Sequence, residues 1–183
     1  MGTDSSTDED VVEGSKLGRR EYWESTYKKE LVNLQQHGDL GEVWFGQDVM
    51  QTMVSFIDDM LKARHGSEAA TRQILDVGTG NALLLLELAR LGYQKLTGTD
   101  YSQASIALAG AIVQQQEQLG IRLVQDDLLH TQLTDRFAVV TDKGTLDAVG
   151  LSAEALVNRR LYREASTDLS SNYLNSQSAA GDY

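Results

Sequence analysis

The stretch that decides the fold of this chain is Ile74-Leu75-Asp76-Val77-Gly78-Thr79-Gly80-Asn81, and it leads into Ala82-Leu83-Leu84-Leu85-Leu86-Glu87-Leu88-Ala89. Apolar residues run into an acid, then a Gly-x-Gly turn, then a helix-forming run. This order predicts a buried strand, a tight loop and a helix start. Glycines let a ligand lie against the main chain, and the helix N-terminus offers free N–H groups. In open α/β sheets, nucleotide-like ligands bind at this place.

Two interpretations compete for the glycine loop. The dinucleotide fingerprint requires a third glycine three positions after Gly80, where this chain has Leu83. Asp76 precedes the loop, and its charge would repel a pyrophosphate but suit a cofactor with a cationic end and no phosphate. S-adenosylmethionine, with its sulfonium, amino group and adenosine, is such a cofactor. The alternative is a turn that binds nothing, since any strand-to-helix connection can use Gly-x-Gly.

Acidic residues follow the next two predicted strands. The strand Leu96-Thr97-Gly98-Thr99 ends in Asp100, 24 residues after Asp76, close to the spacing of a ribose-binding acid. A helix cap is the alternative role for Asp100, and Ser102 competes for that role. The strand Ile121-Arg122-Leu123-Val124-Gln125 leads into the acids at positions 126 and 127, which are either ligand-binding or solvated turn acids.

The alternation of apolar runs and helical stripes predicts an α/β fold with a doubly wound parallel sheet. We expect four central strands at about 73–77, 95–99, 121–125 and 137–141, and helices near 81–91 and 103–118. In the N-terminal part, Tyr22, Trp23 and Tyr27 recur at helical spacing, and such a stripe is more often core than ligand pocket.

Composition narrows the classes of protein. The chain of 183 residues is 41% hydrophobic, which suits one globular domain, and no apolar run approaches the roughly 18 residues that span a bilayer. A net charge of −11 argues against nucleic acid as the main partner and favours a basic protein surface. The absence of cysteine excludes disulfides and cysteine-ligated metal sites, and we expect no metal.

The sequence divides into three parts. Residues 1–16 are rich in Asp and Glu and predict a disordered acidic arm. Residues 17–163 hold the predicted domain, and the Ser- and Asn-rich residues 164–183 predict a polar flexible tail. Within the domain, glycines bracket the loop that holds Trp44 and Phe45. These aromatic residues either plug the edge of the sheet or fold over the cofactor pocket.

Four segments together carry a family resemblance, namely Trp44-Phe45-Gly46, Leu75-Asp76-Val77-Gly78-Thr79-Gly80-Asn81, Gly98-Thr99-Asp100-Tyr101-Ser102 and Asp142-Lys143-Gly144-Thr145-Leu146-Asp147. The Asp-x-Gly-x-Gly segment resembles motif I of the class I methyltransferases. Together with Leu17-Gly18-Arg19-Arg20-Glu21-Tyr22-Trp23, the set resembles the seven-β-strand protein-lysine methyltransferases that modify translation elongation factor 1-alpha. The resemblance covers roughly residues 17–163.

The resemblance implies an S-adenosylmethionine-dependent protein-lysine N-methyltransferase with a Rossmann-like class I sheet. A small-molecule class I methyltransferase and an inactive truncated form are the alternatives. The residues expected on the cofactor side are Trp44, Asp76, Gly78, Thr79, Gly80, Asp100, Tyr101, Asp126 and Asp127, with Asp126 facing the adenine amine. The family also implies a protein substrate, elongation factor 1-alpha. We further expect a monomer with no nucleic acid or membrane partner, located in the cytoplasm, with the nucleus as a second location.

Asp142 and Lys143 are the residues expected on the substrate-lysine side. Methyl transfer to lysine requires a neutral amine, so the acceptor's pKa of about 10.4 must fall or a carboxylate must take its proton. Asp142 either orients the incoming ammonium and helps to remove its proton, or pairs with Lys143, or caps the turn at Thr145.

The sequence after the fourth predicted strand departs from the family. A full class I domain carries three more strands there, and one pair of them forms an antiparallel hairpin. In this chain, polar residues without a strand-like run begin at Glu164. The expectation is therefore a sheet that lacks its C-terminal strands, a largely disordered tail, and weak or absent methyltransferase activity in this form.

Overall fold

The protein contains one parallel β-sheet in the computed structural model, which describes residues 15–116 and 120–171. Its strands are β1 (Gln73–Val77), β2 (Lys95–Asp100), β3 (Ile121–Gln125) and β4 (Val139–Asp142), in the spatial order β3-β2-β1-β4. In the parallel register, Val77 lies opposite both Thr99 and Asp142, and Asp100 lies opposite Gln125. The carboxyl ends of all four strands therefore meet at one edge, as the sequence predicted.

Helices cover both faces of the sheet. They are α1 (Arg20–His37), α2 (Gln47–His65), α3 (Leu83–Arg90), α4 (Gln103–Gln115), α5 (Thr145–Gly150) and α6 (Ala155–Leu169). Because side chains alternate along a strand, Ile74 packs into the cluster formed with α1–α4, whereas Leu75 and Val77 pack into the cluster that contains Tyr162 and Leu169 of α6. The predicted doubly wound arrangement is confirmed. No helix among the described residues is both long enough and apolar enough to span a membrane.

Element ends differ slightly from the predicted ones. The helix after the glycine loop begins at Leu83, because Ala82 has a positive φ of 59° and is not helical. The next helix ends at Gln115, and residues 117 and 118 of the predicted range lie outside the described residues. The fourth strand begins at Val139 rather than at 137. Phe137 instead pairs with the end of the described chain, donating its N–H to the Leu169 carbonyl at 2.8 Å.

The prediction of a flexible tail from residue 164 is wrong for residues 164–171. Helix α6 continues across the predicted boundary to Leu169, which is only 1% exposed. Tyr162, Ala165 and Leu169 lie on one side of this helix and pack beside Phe137. This apolar stripe was not predicted from the sequence, because polar residues surround each of its members. The rest of the predicted tail, residues 172–183, and residues 1–14 of the predicted acidic arm lie outside the described residues.

Candidate functional site

A cavity of about 480 Å³ opens at the carboxyl ends of the strands. The sequence-predicted residues that line it are Trp44, Gly78, Thr79, Gly80, Asp100, Tyr101, Asp126, Asp127 and Lys143. Asp76 and Asp142 are the two predicted site residues that do not line it. Most of the predicted site thus comes together, because each residue follows or ends a parallel strand at the same edge of the sheet.

The glycine loop brings bare main chain to the cavity wall. Gly78 and Gly80 have positive φ angles of 63° and 58°, which L-residues with side chains rarely adopt. A side chain at Gly80 would also meet the Tyr27 hydroxyl at 2.8 Å. Thr79 donates its N–H to the Thr99 carbonyl at 2.8 Å, which ties the loop to the end of β2. The positive φ angles and close packing explain why glycine occupies both positions.

Asp100 lines the cavity and also braces the glycine loop. Its Oδ2 accepts hydrogen bonds from the Gly80 N–H at 3.2 Å and the Ser105 hydroxyl at 2.8 Å. Its Oδ1 accepts one from the Ser102 N–H at 2.9 Å. A carboxylate has about four acceptor positions, so about one stays available to a ligand. The cap of α4 is Ser102, whose hydroxyl accepts from the Ser105 N–H at 3.1 Å.

Asp76 is buried beneath the loop, so its predicted place on the cavity wall is wrong. The residue lies inside β1, one position before the strand ends, with Gly98 and Thr141 beside it. Burial away from water raises the pKa of Asp76 to about 7. A hydrogen bond with Thr79 and then the charge of Lys143 oppose this rise in the pKa of Asp76, and burial lowers the pKa of Lys143 in turn.

Asp142 caps helix α5 and does not face the cavity, which corrects its assignment to the substrate side. Its Oδ1 accepts from the N–H groups of Gly144 at 2.8 Å and Thr145 at 3.0 Å. Its Oδ2 accepts from the Leu146 N–H at 2.9 Å and from the Tyr162 hydroxyl. These four donors fill the acceptor positions of a carboxylate. Of the alternatives open at the sequence level, the structure supports the cap at the Thr145 turn.

Two buried polar atoms of cavity-lining residues have no hydrogen-bond partner among the described residues. They are the indole Nε1 of Trp44 and the Oδ2 of Asp126. The other oxygen of Asp126 accepts from the Gln132 N–H at 2.9 Å. Buried polar groups in folded proteins normally have partners. An unpartnered donor and an unpartnered acceptor at one cavity therefore indicate a ligand with complementary groups.

A family profile described as a methyltransferase domain matches residues 74–166, which span β1 to α6. The match contains the glycine loop and the carboxyl ends of all four strands. This chain belongs to the methyltransferase domain family.

Curated relatives of this methyltransferase domain extend the similarity to the N-terminal helices. The chain is 38% identical over 157 residues to EEF1A lysine methyltransferase 2 of Homo sapiens, covering 85% of this chain and 64% of that protein. It is 35% identical over 158 residues to the protein-lysine N-methyltransferase efm4 of Schizosaccharomyces pombe, covering 80% and 66%. The chain therefore spans slightly less than two thirds of each relative's length.

A solved structure shares the fold of this methyltransferase domain. Magnesium protoporphyrin IX methyltransferase from Synechocystis, solved with bound SAM, superposes with a TM-score of 0.56 at 19% identity. The match covers 92% of this chain and 75% of that chain. At this level of identity the likeness shows the Rossmann-like fold alone.

The methyltransferase domain has an aromatic wall that the sequence analysis assigned to the core. Trp23 and Tyr27 of α1 line the cavity beside Trp44. The Trp23 ring meets the Trp44 ring edge-on at 4.9 Å between centroids and stacks on Tyr27 at 6.0 Å. The predicted helical stripe is confirmed, and Tyr27 belongs to the core with Trp23 packed against it, but both residues also line the cavity, whereas Tyr22 does not. Trp23 belongs to the segment Leu17–Trp23 of the family resemblance, and Tyr27 follows one helical turn later. This position could have indicated that both residues belong to the site.

The loop between α1 and α2 folds over the cavity of the methyltransferase domain. The Asn81 side-chain amide donates to the carbonyls of Leu40 and Glu42, both at 3.1 Å, and so ties this loop to the glycine loop. Trp44 therefore faces the cavity, as one of the two sequence interpretations held. Phe45 is exposed instead, with its ring against Gly144.

Proposed function

We propose that this chain is an S-adenosylmethionine-dependent protein-lysine N-methyltransferase whose substrate is EEF1A. The observation that carries the proposal is the pair of unpartnered polar atoms of Trp44 and Asp126 at a cavity at the strand ends. Membership of the methyltransferase domain family and the similarity to EEF1A lysine methyltransferase 2 support the reaction and the acceptor.

The residues present fit this cofactor. Asp126 offers a free acceptor for the adenine amine, and Asp100 keeps one acceptor position for a ribose hydroxyl. Trp44 offers an indole N–H, a suitable donor to the cofactor's carboxylate. Bound S-adenosylmethionine supplies a methyl group on a sulfonium, which the acceptor amine takes. The bare main chain at Gly78 and Gly80 leaves room for the ligand.

Two features of the wall suit a lysine acceptor. Lys143 lines the cavity and donates to the Trp44 carbonyl at 3.3 Å, so its ammonium is fixed there. A nearby cation lowers the pKa of an incoming lysine amine and so favours the neutral form that reacts. The rings of Trp23, Tyr27 and Trp44 exclude water, and their faces attract cationic groups.

Calorimetric titration with S-adenosylmethionine tests the cofactor site, with Asp126→Asn as the diagnostic variant. The Gln132 N–H keeps the amide oxygen at the Oδ1 position, so the amide NH₂ replaces the free Oδ2 and opposes the adenine amine. We expect affinity to fall about ten- to a hundredfold. The matched control is Asp135→Asn, whose carboxylate pairs with Arg122 outside the cavity. Equal affinity in the two variants would remove Asp126 from the site.

Transfer of tritium from labelled S-adenosylmethionine to purified EEF1A tests the reaction. Label on a lysine of EEF1A, located by mass spectrometry, is the expected result, and it would refute the sequence-based expectation of weak or absent activity. Label only in the small-molecule fraction of a cell lysate would instead favour a small-molecule acceptor.

The proposal also covers the cellular location and the oligomeric state of the chain. A cytoplasmic protein that also enters the nucleus agrees with a chain that has no cysteine to oxidise. The net charge of −11 favours a basic protein partner and keeps copies of the chain apart, which supports a monomer. Fluorescence microscopy of the tagged chain and light scattering of the purified chain test these two statements.

A further inference from the structure

Arg20, the first residue of α1, forms a bridge to Asp127, which follows β3. Its Nη1 donates to the Asp127 Oδ2 at 2.6 Å, although the two residues are 107 positions apart. Its guanidinium also lies over the Tyr101 ring, 4.3 Å from the centroid. All three side chains line the cavity. The bridge therefore joins the N-terminal wall to the wall formed by the ends of β2 and β3.

The rest of α1 is anchored independently of this bridge. One turn further along the helix, Glu24 accepts hydrogen bonds from the Ser102 hydroxyl at 2.7 Å and the Ala104 N–H at 3.3 Å. Trp23 donates its indole N–H to the Leu17 carbonyl at 2.6 Å. Breaking the Arg20 bridge should therefore separate these two walls without detaching α1 from α4.

Asp127 is well suited to hold a cation. Its Oδ1 accepts from the Leu129 N–H at 3.1 Å, which fixes the carboxylate and leaves Oδ2 for Arg20. Partial burial raises the pKa of Asp127, but the hydrogen bond and charge of Arg20 outweigh this and hold it below its usual range. His130 adds a further contact, with its Nδ1 3.5 Å from Oδ2. The carboxylate therefore stays charged at neutral pH.

We propose that Arg20 is a positioning residue that latches the adenine end of the cavity and slows release of the bound cofactor. This inference rests on the proposed function, since Asp126, the expected adenine contact, is the neighbour of Asp127 in the chain. A ligand that leaves past this end must separate Arg20 from the Asp127 carboxylate and the Tyr101 ring. Arginine suits the position because its planar guanidinium can pair with a carboxylate and stack on a ring at once.

The test measures how fast S-adenosylhomocysteine dissociates from the whole chain and its variants by stopped-flow fluorescence. Arg20→Ala removes both contacts and should speed dissociation about tenfold. Arg20→Lys keeps the charge but loses the planar stack, so its rate should fall between those of the parent and Arg20→Ala.

The matched control is Arg122→Ala. Arg122 forms a 2.9 Å pair with Asp135 at side-chain exposures of 53% and 36%, comparable to 57% and 24% for Arg20 and Asp127. Neither residue of the control pair lines the cavity, so dissociation should stay within about twofold of the parent rate.

Salt separates a latch from a merely structural role. The Arg20 side chain is 57% exposed, so ions should screen its bridge. Raising the salt from about 0.05 M to about 0.5 M should speed dissociation several-fold in the parent and in Arg122→Ala. In Arg20→Ala the rate should change little.

The outcomes distinguish the two proposals. Dissociation from Arg20→Ala at the parent rate would overturn the latch while leaving the cofactor proposal intact. Failure of the parent chain to bind either S-adenosylmethionine or S-adenosylhomocysteine would overturn the proposed function and the latch with it. If Arg20→Ala unfolds, Arg20→Lys decides the question. This variant lacks the guanidinium that stacks on Tyr101, so dissociation from it at the parent rate and with the parent salt dependence would contradict the role of the guanidinium.

Discussion

Replacing Gly78 by alanine tests whether the glycine loop is shaped by backbone conformation alone or also by its fit against α5. Gly78 has a φ of 63°, and an added Cβ would overlap the Thr145 hydroxyl and lie 3.0 Å from that residue's Cγ2. Thr145 cannot turn away freely, because its hydroxyl donates to the Val77 carbonyl at 2.8 Å. Gly38 offers a matched control with a φ of 71° and open space around the added Cβ.

The magnitudes of the two substitutions should differ. An alanine in the left-handed region costs about 1–2 kcal/mol at either position. At Gly78 the overlap with Thr145 adds about 1–3 kcal/mol of overpacking. We therefore expect the free energy of unfolding to fall by about 2–5 kcal/mol in Gly78→Ala and by about 1–2 kcal/mol in Gly38→Ala. The first loss is large against the roughly 5–15 kcal/mol that stabilises a typical domain.

Urea unfolding followed by circular dichroism measures both free energies, and Thr145→Ala completes the test. Once the Thr145 hydroxyl and methyl groups are removed, Gly78→Ala should cost less than in the parent but still more than Gly38→Ala, because the Cβ of residue 145 stays 3.0 Å from the added Cβ. Equal costs for Gly78→Ala and Gly38→Ala in the parent background would refute the packing argument. A Gly78→Ala cost unchanged by Thr145→Ala would refute the assignment to Thr145.

Two further predictions concern the buried acid and the end of α6. The folded pKa of Asp76 is about 7, above the roughly 3.9 of an unfolded aspartate, so the folded state binds its proton more tightly and stability should decrease as pH rises from about 4 to 7. The decrease in unfolding free energy should reach up to about 4 kcal/mol, and it should be absent in Asp76→Asn when urea unfolding is measured at several pH values. The same pH dependence in the parent and in Asp76→Asn would contradict the raised pKa of Asp76. Leu169→Ala should lower the unfolding free energy by about 2–5 kcal/mol, because Leu169 is 1% exposed. Leu156→Ala on the same helix, at 84% exposure, should change it by less than about 0.5 kcal/mol, and similar values for both would mean that residue 169 is not packed.

The parallel sheet was predictable because its signals are local. Each strand is a short run with apolar residues that ends in, or is followed by, an acid or a glycine, and parallel strands bring those ends to one edge. Gly78, Asp100 and Asp126 line the cavity at this edge, and their contacts with a cofactor stay predictions. The strand limits of β1 and β3 also agree with the predicted ones, since turn-forming or polar residues follow each run.

The wrong predictions concern residues whose role depends on their exact position in a strand or on a partner far away in the sequence. Asp76 and Asp100 look alike in sequence, but the first sits one residue inside its strand and the second ends its strand. Asp142 caps α5 because the chain turns at Gly144 and enters the helix at Thr145. Tyr162, 20 residues later, supplies the fourth hydrogen-bond donor to the Asp142 carboxylate. Neither relation is visible in a pattern of apolar and polar residues.

The two walls of the cavity come from different parts of the chain. The sheet edge falls within residues 74–166, the part that matches the general methyltransferase domain. The opposite wall comes from α1 and the loop before α2, through Trp23, Tyr27 and Trp44. Similarity to EEF1A lysine methyltransferase 2, at 38% identity, covers 85% of this chain, which is more than the matched domain occupies. This N-terminal layer meets the sheet edge through side-chain hydrogen bonds of Arg20, Glu24 and Asn81, so the cavity depends on contacts between a helical layer and the sheet and not on the sheet alone.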